Sequence, residues 1–281
     1  MIIDTHIHIW DLKKATYEWL QNDTSILNRT YQLEELLPSF PAANVTQGVL
    51  VQAANHMEDT ELMLETAWKY DQVAGVVGWL PLMDPVKTFE ILSEKYSKEK
   101  YFKGVRHLIH NETDPSWLLQ SEVLESLRIL AMHNLPYDVV GINNDHLQTA
   151  IKVSEKIPDL KIVLDHLNQP PIAEKKRFGT WGGLMKAIAG NNNVYAKISG
   201  LGTAAGNFTG WTMDDIKPYM AYTLELFGTG RCFCGGDWPV SLLAGSYDNH
   251  WMIYRNILSS LLQEADTDLV LQKNAEQFYN L

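Results

Sequence analysis

Cysteine is nearly absent: the 281 residues contain two thiols, Cys232 and Cys234, one residue apart and too close for an ordinary structural disulfide. That excludes a disulfide-stapled secreted scaffold and points to a reducing, cytoplasmic home. The CxC pair reads as packing in a core strand rather than as a metal site, because no second cluster accompanies it. Positive charge is also short. Lys and Arg number 23 against 34 Asp and Glu, a net charge of −11, which argues against a nucleic-acid or anionic-membrane partner. No stretch approaches 18 uninterrupted apolar residues, and no basic segment followed by an apolar run opens the chain. Neither a membrane span nor a signal peptide is therefore expected. Low-complexity linkers and internal repeats are missing too, so a single domain over residues 1–281 is expected. With 46% hydrophobic and 20% charged residues, the composition is that of an ordinary soluble globular protein.

What the chain does have begins at its third residue. Ile3-Asp4-Thr5-His6-Ile7-His8-Ile9-Trp10 is apolar enough for a buried strand, and residues i and i+2 of a strand share a face. His6 and His8 thus project side by side, able to grip one metal ion or one carbonyl oxygen. Asp4 shares that parity and is expected deeper, in a structural hydrogen bond. A long loop from Asp11 to about Thr30 carries Tyr17, Trp19 and Leu20, aromatics that suit stacking on a sugar ring.

A rhythm of strands and helices follows. Strands are predicted at Val45–Ala54, Val73–Leu82, Phe102–Ile109, Pro136–Val140, Lys161–Leu167, Val194–Ser199 and Cys232–Asp237. Helical patterns separate them, and two closing helices run through Trp251–Leu262 and Leu269–Phe278. Eight strands alternating with helices predict a parallel sheet covered by helices. Eight units favour a closed (β/α)8 barrel, an α/β fold of about 250 residues, over an open sheet, because closure removes both edges. Chemistry in such barrels sits at the C-terminal ends of the strands.

The polar strand-end residues are His6 and His8, Gln52, Arg106 and His107, Tyr137 or Asp138, His166, Lys197 and Asp237. Three histidines and a carboxylate converging on one mouth suffice for a zinc-like ion with room for a water. They suffice equally for metal-free acid–base work, with Asp237 as base and the imidazoles as electrophiles. Asp237 follows Gly235-Gly236, which let the backbone approach a ligand, and precedes Trp238-Pro239, which stiffens the exit. Arg106 offers a planar fork for a carboxylate or vicinal diol, or else locks the barrel rim. Lys197 either contacts substrate or pairs with a buried acid. His107 alternates to the other face and is expected to pack. His56, His110, His133, His146 and His250 fall in loops or helices as surface or capping residues.

Taken in order, HxHxW at the start, Gly104-Val105-Arg106-His107, Val163-Leu164-Asp165-His166, Val194-Tyr195-Ala196-Lys197-Ile198-Ser199-Gly200-Leu201, Gly236-Asp237-Trp238-Pro239-Val240 and Asn274-Ala275-Glu276-Gln277-Phe278-Tyr279 resemble the lactonase branch of the amidohydrolase superfamily. That branch includes the fuconolactone- and rhamnonolactone-type sugar lactonases and the pyrone-dicarboxylate lactonases. The resemblance implies a (β/α)8 barrel that hydrolyses a lactone to a hydroxy acid. It makes His6, His8, His166 and Asp237 the catalytic set and the ligands of one ion. Arg106 and Lys197 become candidate substrate contacts by the resemblance, and strand-end or loop position adds Gln52, Tyr137 and Trp19. Two departures stand out: Asp165-His166-Leu167-Asn168-Gln169-Pro170 replaces the usual DHxGxP, and Gly235-Gly236-Asp237-Trp238-Pro239 replaces GSDWP. Asn takes the left-handed conformation as Gly does, while losing the Ser hydroxyl alters the surroundings of the base. The bridging lysine of binuclear relatives has no counterpart on the fourth strand, so the site is expected to hold one divalent ion or none.

Three functions follow in order of fit. The first is hydrolysis of an aldonolactone, with water activated by Asp237 and the carbonyl polarised by His or metal. The second is metal-dependent decarboxylation of an aromatic or unsaturated acid, and the third is a binding protein on a decayed barrel. The expected partner is a small lactone. Barrels of this type often dimerise, which leaves a homodimer as the expected assembly.

Overall fold

Short β-branched segments alternate with amphipathic ones along the chain. In the computed structural model, which describes residues 1–175 and 177–281, the β-branched segments gather into one parallel sheet. Its strands are β1 (Ile2–Ile7), β2 (Val45–Val51), β3 (Val73–Gly78), β4 (Phe102–His107), β5 (Tyr137–Val139), β6 (Ile162–Leu164), β7 (Val194–Ile198) and β8 (Cys232–Cys234). They pair in chain order, each with the next. Helices α1 (Met57–Lys69), α2 (Pro85–Ile91), α3 (Ser121–Met132), α4 (Asn144–Lys156), α5 (Gly179–Ala189), α6 (Met213–Phe227) and α7 (Tyr247–Leu261) follow in turn, and the chain ends in α8 (Asn274–Tyr279). The expected (β/α)8 barrel forms, nearly closed. No described helix is long and apolar enough to cross a membrane.

Period-2 alternation separates two cores. Ile3, Val49, Val51, Val77, Val163 and Phe233 face one another inside, joined by Ala275, Phe278 and Tyr279 of α8. Their neighbours Ile2, Leu50, Val76, Ile162, Leu164, Cys232 and Cys234 face the helices. The two cysteines are buried free thiols, and burial pushes Cys232 up to about 12, so the packing role holds.

The barrel joins β8 to β1 beyond the ladder. The Asp237 N–H donates to the His6 carbonyl and the His8 N–H to the Trp238 carbonyl, both at 2.7 Å. Seam and candidate chemistry therefore coincide. Most strands also stop two to four residues earlier than their apolar runs suggest. His8, His166 and Asp237 consequently lie just past strand ends, where the backbone is free to turn side chains inward. On the helix side, Asn143 caps α4 by accepting from His146 N at 2.9 Å, and Asp84 caps α2 in the same way.

Candidate active site

His6 and His8 meet as the HxH spacing predicts, with their Nε2 atoms 3.1 Å apart. Asp4 does not join them. A register shift between Asp4 and Ile7 inserts a bulge into β1, and the extra residue resets the alternation. Asp4 therefore turns toward the helices and accepts from Gly236 N, His6 N and the Tyr247 hydroxyl at 2.7, 2.9 and 2.7 Å. The structural hydrogen-bond role stands, but the shared face does not.

Gly235 and Gly236 serve the same seam rather than a ligand. A Cβ on Gly235 would lie 2.5 Å from His6 Cβ, and one on Gly236 2.4 Å from Asp4 Oδ2. Close strand approach then delivers Asp237, at φ +56°. Its Oδ1 stands 3.6 Å from His8 Nε2, 3.8 Å from His6 Nε2 and 4.0 Å from His166 Nε2.

His166 arrives on an unusual turn. His166, Leu167, Asn168 and Gln169 all have φ of +52° to +53°, a run that L-residues adopt only when surroundings hold it. Asn168 Nδ2 donates to the Asn143 carbonyl at 2.9 Å, and Trp181 Nε1 to the Leu167 carbonyl at 2.8 Å. Ser199 Oγ lies 2.9 Å from His166 Nδ1 and accepts from His166 N at 3.3 Å. Gly200, at φ +61°, completes the fit: a Cβ there would lie 2.7 Å from His166 Nδ1 and 2.8 Å from Asp237 Oδ2. Gly200→Ala is accordingly expected to cost about 1–2 kcal/mol in stability and at least about tenfold in turnover by displacing both groups. Thermal unfolding and kcat measure the two effects. A variant matching the parent in both would show the approach to be unimportant.

Beneath the histidines lies a buried ionic layer. Lys197 Nζ contacts Asp138 Oδ2 at 2.6 Å, Asp165 Oδ1 at 2.8 Å and His6 Nδ1 at 3.3 Å. Arg106 NH1 contacts Asp165 Oδ2 at 3.0 Å and His6 Nε2 at 3.3 Å, while NH2 donates to the Gln52 carbonyl. The Tyr279 hydroxyl donates to Asp138 at 2.7 Å. Two cations and two carboxylates balance there. Burial pushes the Asp138 carboxyl up to about 6 even beside Lys197. For Asp165 burial acts upward as well, but Lys197, His6 and Arg106 together hold it well below the usual carboxylate range. Burial, reinforced by Lys197 and His166, keeps His6 far below its ordinary value, and burial likewise lowers His8 and His166. Burial thus favours the neutral form of all three imidazoles.

This layer revises four expected substrate contacts. Lys197 is fully buried and spends its ammonium on Asp138 and Asp165. Tyr137 faces the helices, since Asp138 is the inward residue of β5. Gln52 also turns outward, donating to Asn55 Oδ1 and the Arg106 carbonyl, both at 3.1 Å. Arg106 reaches the cavity, but its fork is engaged inside the protein. Trp19 does line the cavity, with Nε1 donating to the Ala53 carbonyl at 2.8 Å. Asp138, the alternative to Tyr137 on the fifth strand, is the inward one of the two, whereas Asp165 and Tyr279 were not singled out as site residues from sequence.

Of the other histidines, His107 packs as expected, stacked on Trp117 at 4.1 Å. His146 and His250 are buried rather than on the surface, although His146 Nδ1 does accept from Ile142 N at 3.2 Å. His110 lines the cavity. Burial lowers it to about 4.

The cavity over Asp237 measures about 350 Å³. Trp19, Leu108, Val140, Ile142, Phe208 and Val240 supply its apolar wall. Below it, His6, His8 and Asp237 form one of two described groups whose ligand atoms all lie within 4.8 Å. Separations of 3.1, 3.6 and 3.8 Å suit a tetrahedral zinc with bonds of about 2.0–2.1 Å, whose ligand atoms stand roughly 3.4 Å apart. His8 Nδ1 donates to the Val51 carbonyl at 2.7 Å, which leaves Nε2 with its lone pair toward the site. The residues thus fit one ion. The second group, His6, Asp165 and His166, has its carboxylate committed to Lys197 and Arg106. His166 is therefore not a member of the better trio, contrary to the four-ligand expectation.

A family-wide pattern described as amidohydrolase matches residues 3–281. The chain belongs to the amidohydrolase family. Among its members it is 30% identical over 254 residues to an L-fucono-1,5-lactonase of Burkholderia ambifaria, covering 90% of this chain and 86% of that one. An L-fucono-1,5-lactonase of Burkholderia multivorans is 28% identical over 297 residues, or 99% and 96% of the two chains. A crystal structure of an amidohydrolase from Burkholderia multivorans with bound zinc superposes with a TM-score of 0.92 at 27% identity, covering 100% and 99%.

Proposed function

We propose that this amidohydrolase opens a lactone ring, with a neutral, sugar-derived aldono-1,5-lactone as substrate. The observation that carries the reading is Asp237, whose Oδ1 lies 3.6–4.0 Å from three imidazoles at the floor of a cavity. Two relatives that act on L-fucono-1,5-lactone support it. So does the engaged Arg106 fork, which leaves the described cavity wall without a free cation for a substrate carboxylate.

The Asp237 carboxylate takes a proton from water while the water oxygen attacks the lactone carbonyl carbon. Ser199 Oγ accepts from His166 N and, in the productive tautomer, turns its hydroxyl hydrogen to His166 Nδ1. That places the ring proton on Nε2, as a donor to the carbonyl oxygen when it becomes an oxyanion. The ring C–O bond then breaks, and the proton held on Asp237 passes to the leaving alkoxide. The new carboxylic acid ionises and releases a proton to solvent. A divalent ion held by His6, His8 and Asp237 would add Lewis-acid polarisation of the carbonyl. His8 and His6 supply nitrogen lone pairs for it, and Lys197 with Asp165 braces His6 from behind.

Metal loading is testable apart from turnover. The purified chain is expected to carry about one zinc ion by elemental analysis, and His8→Ala to carry almost none at unchanged secondary structure. Equal zinc in both would place the ion elsewhere. The reading itself is tested with a pH-indicator assay on 1,4- and 1,5-aldonolactones, run as purified, after chelation and after zinc is restored. Turnover of 1,5-lactones above the spontaneous rate is expected. Silence across the panel, with carbon dioxide released from a dihydroxybenzoate, would instead favour the decarboxylase reading.

A further inference from the structure

Most polar side chains on the described cavity wall are already engaged. Trp19 donates to the Ala53 carbonyl and Thr203 Oγ1 to the Gly200 carbonyl at 2.7 Å. Arg106 is spent on Asp165 and the Gln52 carbonyl. His110 turns one ring nitrogen to the Val140 carbonyl and buries the other out of contact. His8, His166 and Asp237 form the reaction centre. Gln169 remains: it lines the cavity, is half-buried, and its side-chain amide makes no hydrogen bond among the described residues.

Its position is costly to maintain. Gln169 ends the left-handed run that starts at His166, and each such residue costs roughly 1–2 kcal/mol. The turn is seated tightly, since a Cβ on Gly141 would lie 1.9 Å from Asn168 Oδ1. One rigid turn therefore aims both His166 and Gln169 into the cavity. Leu108, Val140, Ile142 and Phe208 also line the cavity, and they offer a hydroxyl nothing.

We propose that Gln169 is the specificity-determining residue of the proposed reaction, its amide reading a hydroxyl group on the lactone ring. An amide both donates and accepts, so it pairs with a hydroxyl in either sense. It leaves the apolar wall to the less hydroxylated edge of the ring. This deepens the lactonase reading and rests on it.

The test compares L-fucono-1,5-lactone with δ-valerolactone, the same ring without hydroxyls, in the wild type, Gln169→Gly, Gln169→Leu and Gln169→Asn. The wild type is expected to prefer the hydroxylated ring. In Gln169→Gly and Gln169→Leu that preference, as a ratio of kcat/KM values, falls about tenfold or more, chiefly through KM. Gln169→Asn recovers part of it. Glycine suits φ +52°, so Gln169→Gly should melt at or above the wild-type temperature, which separates recognition from folding. An unchanged ratio would overturn the inference, as would equal losses on both lactones, which would mean that the residue only positions His166. A wild type that prefers δ-valerolactone overturns it while leaving the lactonase reading standing. A wild type inactive on every lactone removes both.

Discussion

Asp237→Asn is expected to lower lactone turnover by about 10²–10⁴-fold, the usual contribution of a positioned general base. The substitution is nearly isosteric, and asparagine tolerates the left-handed backbone at this position. The backbone bond from residue 237 to the His6 carbonyl is unaffected, so the barrel seam should persist. What disappears is the oxygen that takes the proton from water. Circular dichroism should superpose on the wild type while kcat collapses. Retention of more than a third of the parent kcat in a folded protein would remove Asp237 from the role of base.

The second large effect is expected from Asp165→Asn, and it falls on stability. Asp165 is fully buried, with Lys197 at 2.8 Å and Arg106 at 3.0 Å. Taking away its charge leaves two buried cations facing Asp138 alone. Removing one partner from a buried ionic cluster costs about 3–5 kcal/mol, a large part of the roughly 5–15 kcal/mol that holds a typical domain together. The denaturation midpoint should fall accordingly. Adding Lys197→Met should recover part of the loss, because the uncompensated ammonium goes with it. A single variant within about 1 kcal/mol of wild type would mean that water or a proton shift already neutralises the layer.

The residues that were legible in the sequence share a trait: their role follows from local period and strand position. His6 and His8 are two apart on a strand, and Asp237 and His166 stand at strand ends. A parallel barrel brings all such ends to one mouth. Strand and helix alternation carried the topology for the same reason. Asp4 escaped because a bulge adds a residue that no pattern of apolar positions signals. Lys197 was visible as a strand-end charge, but its partners Asp138 and Asp165 come from two other strands. Tyr279 comes from the far end of the chain. Such a layer depends on which inward positions coincide in height, which is a matter of sheet stagger rather than composition. Gln52 was placed by counting from a strand end that lies three residues earlier than the apolar run implies, and Tyr137 by taking the wrong one of two alternating residues on β5. Gln169 left one trace, the Asn168 that replaces a glycine beside it. The four-residue left-handed turn itself is held by Asn143 and Trp181 from other segments.

The central claim is that Asp237 directs water onto a lactone carbonyl. The most direct measurement is hydrolysis of L-fucono-1,5-lactone in ¹⁸O-labelled water, followed by mass spectrometry alongside Asp237→Asn. The account predicts that one labelled oxygen enters the carboxylate, far faster than in the enzyme-free control and at close to the control rate with the variant. Acceleration undiminished in Asp237→Asn, or no acceleration of any aldono-1,5-lactone by the wild type, would contradict it.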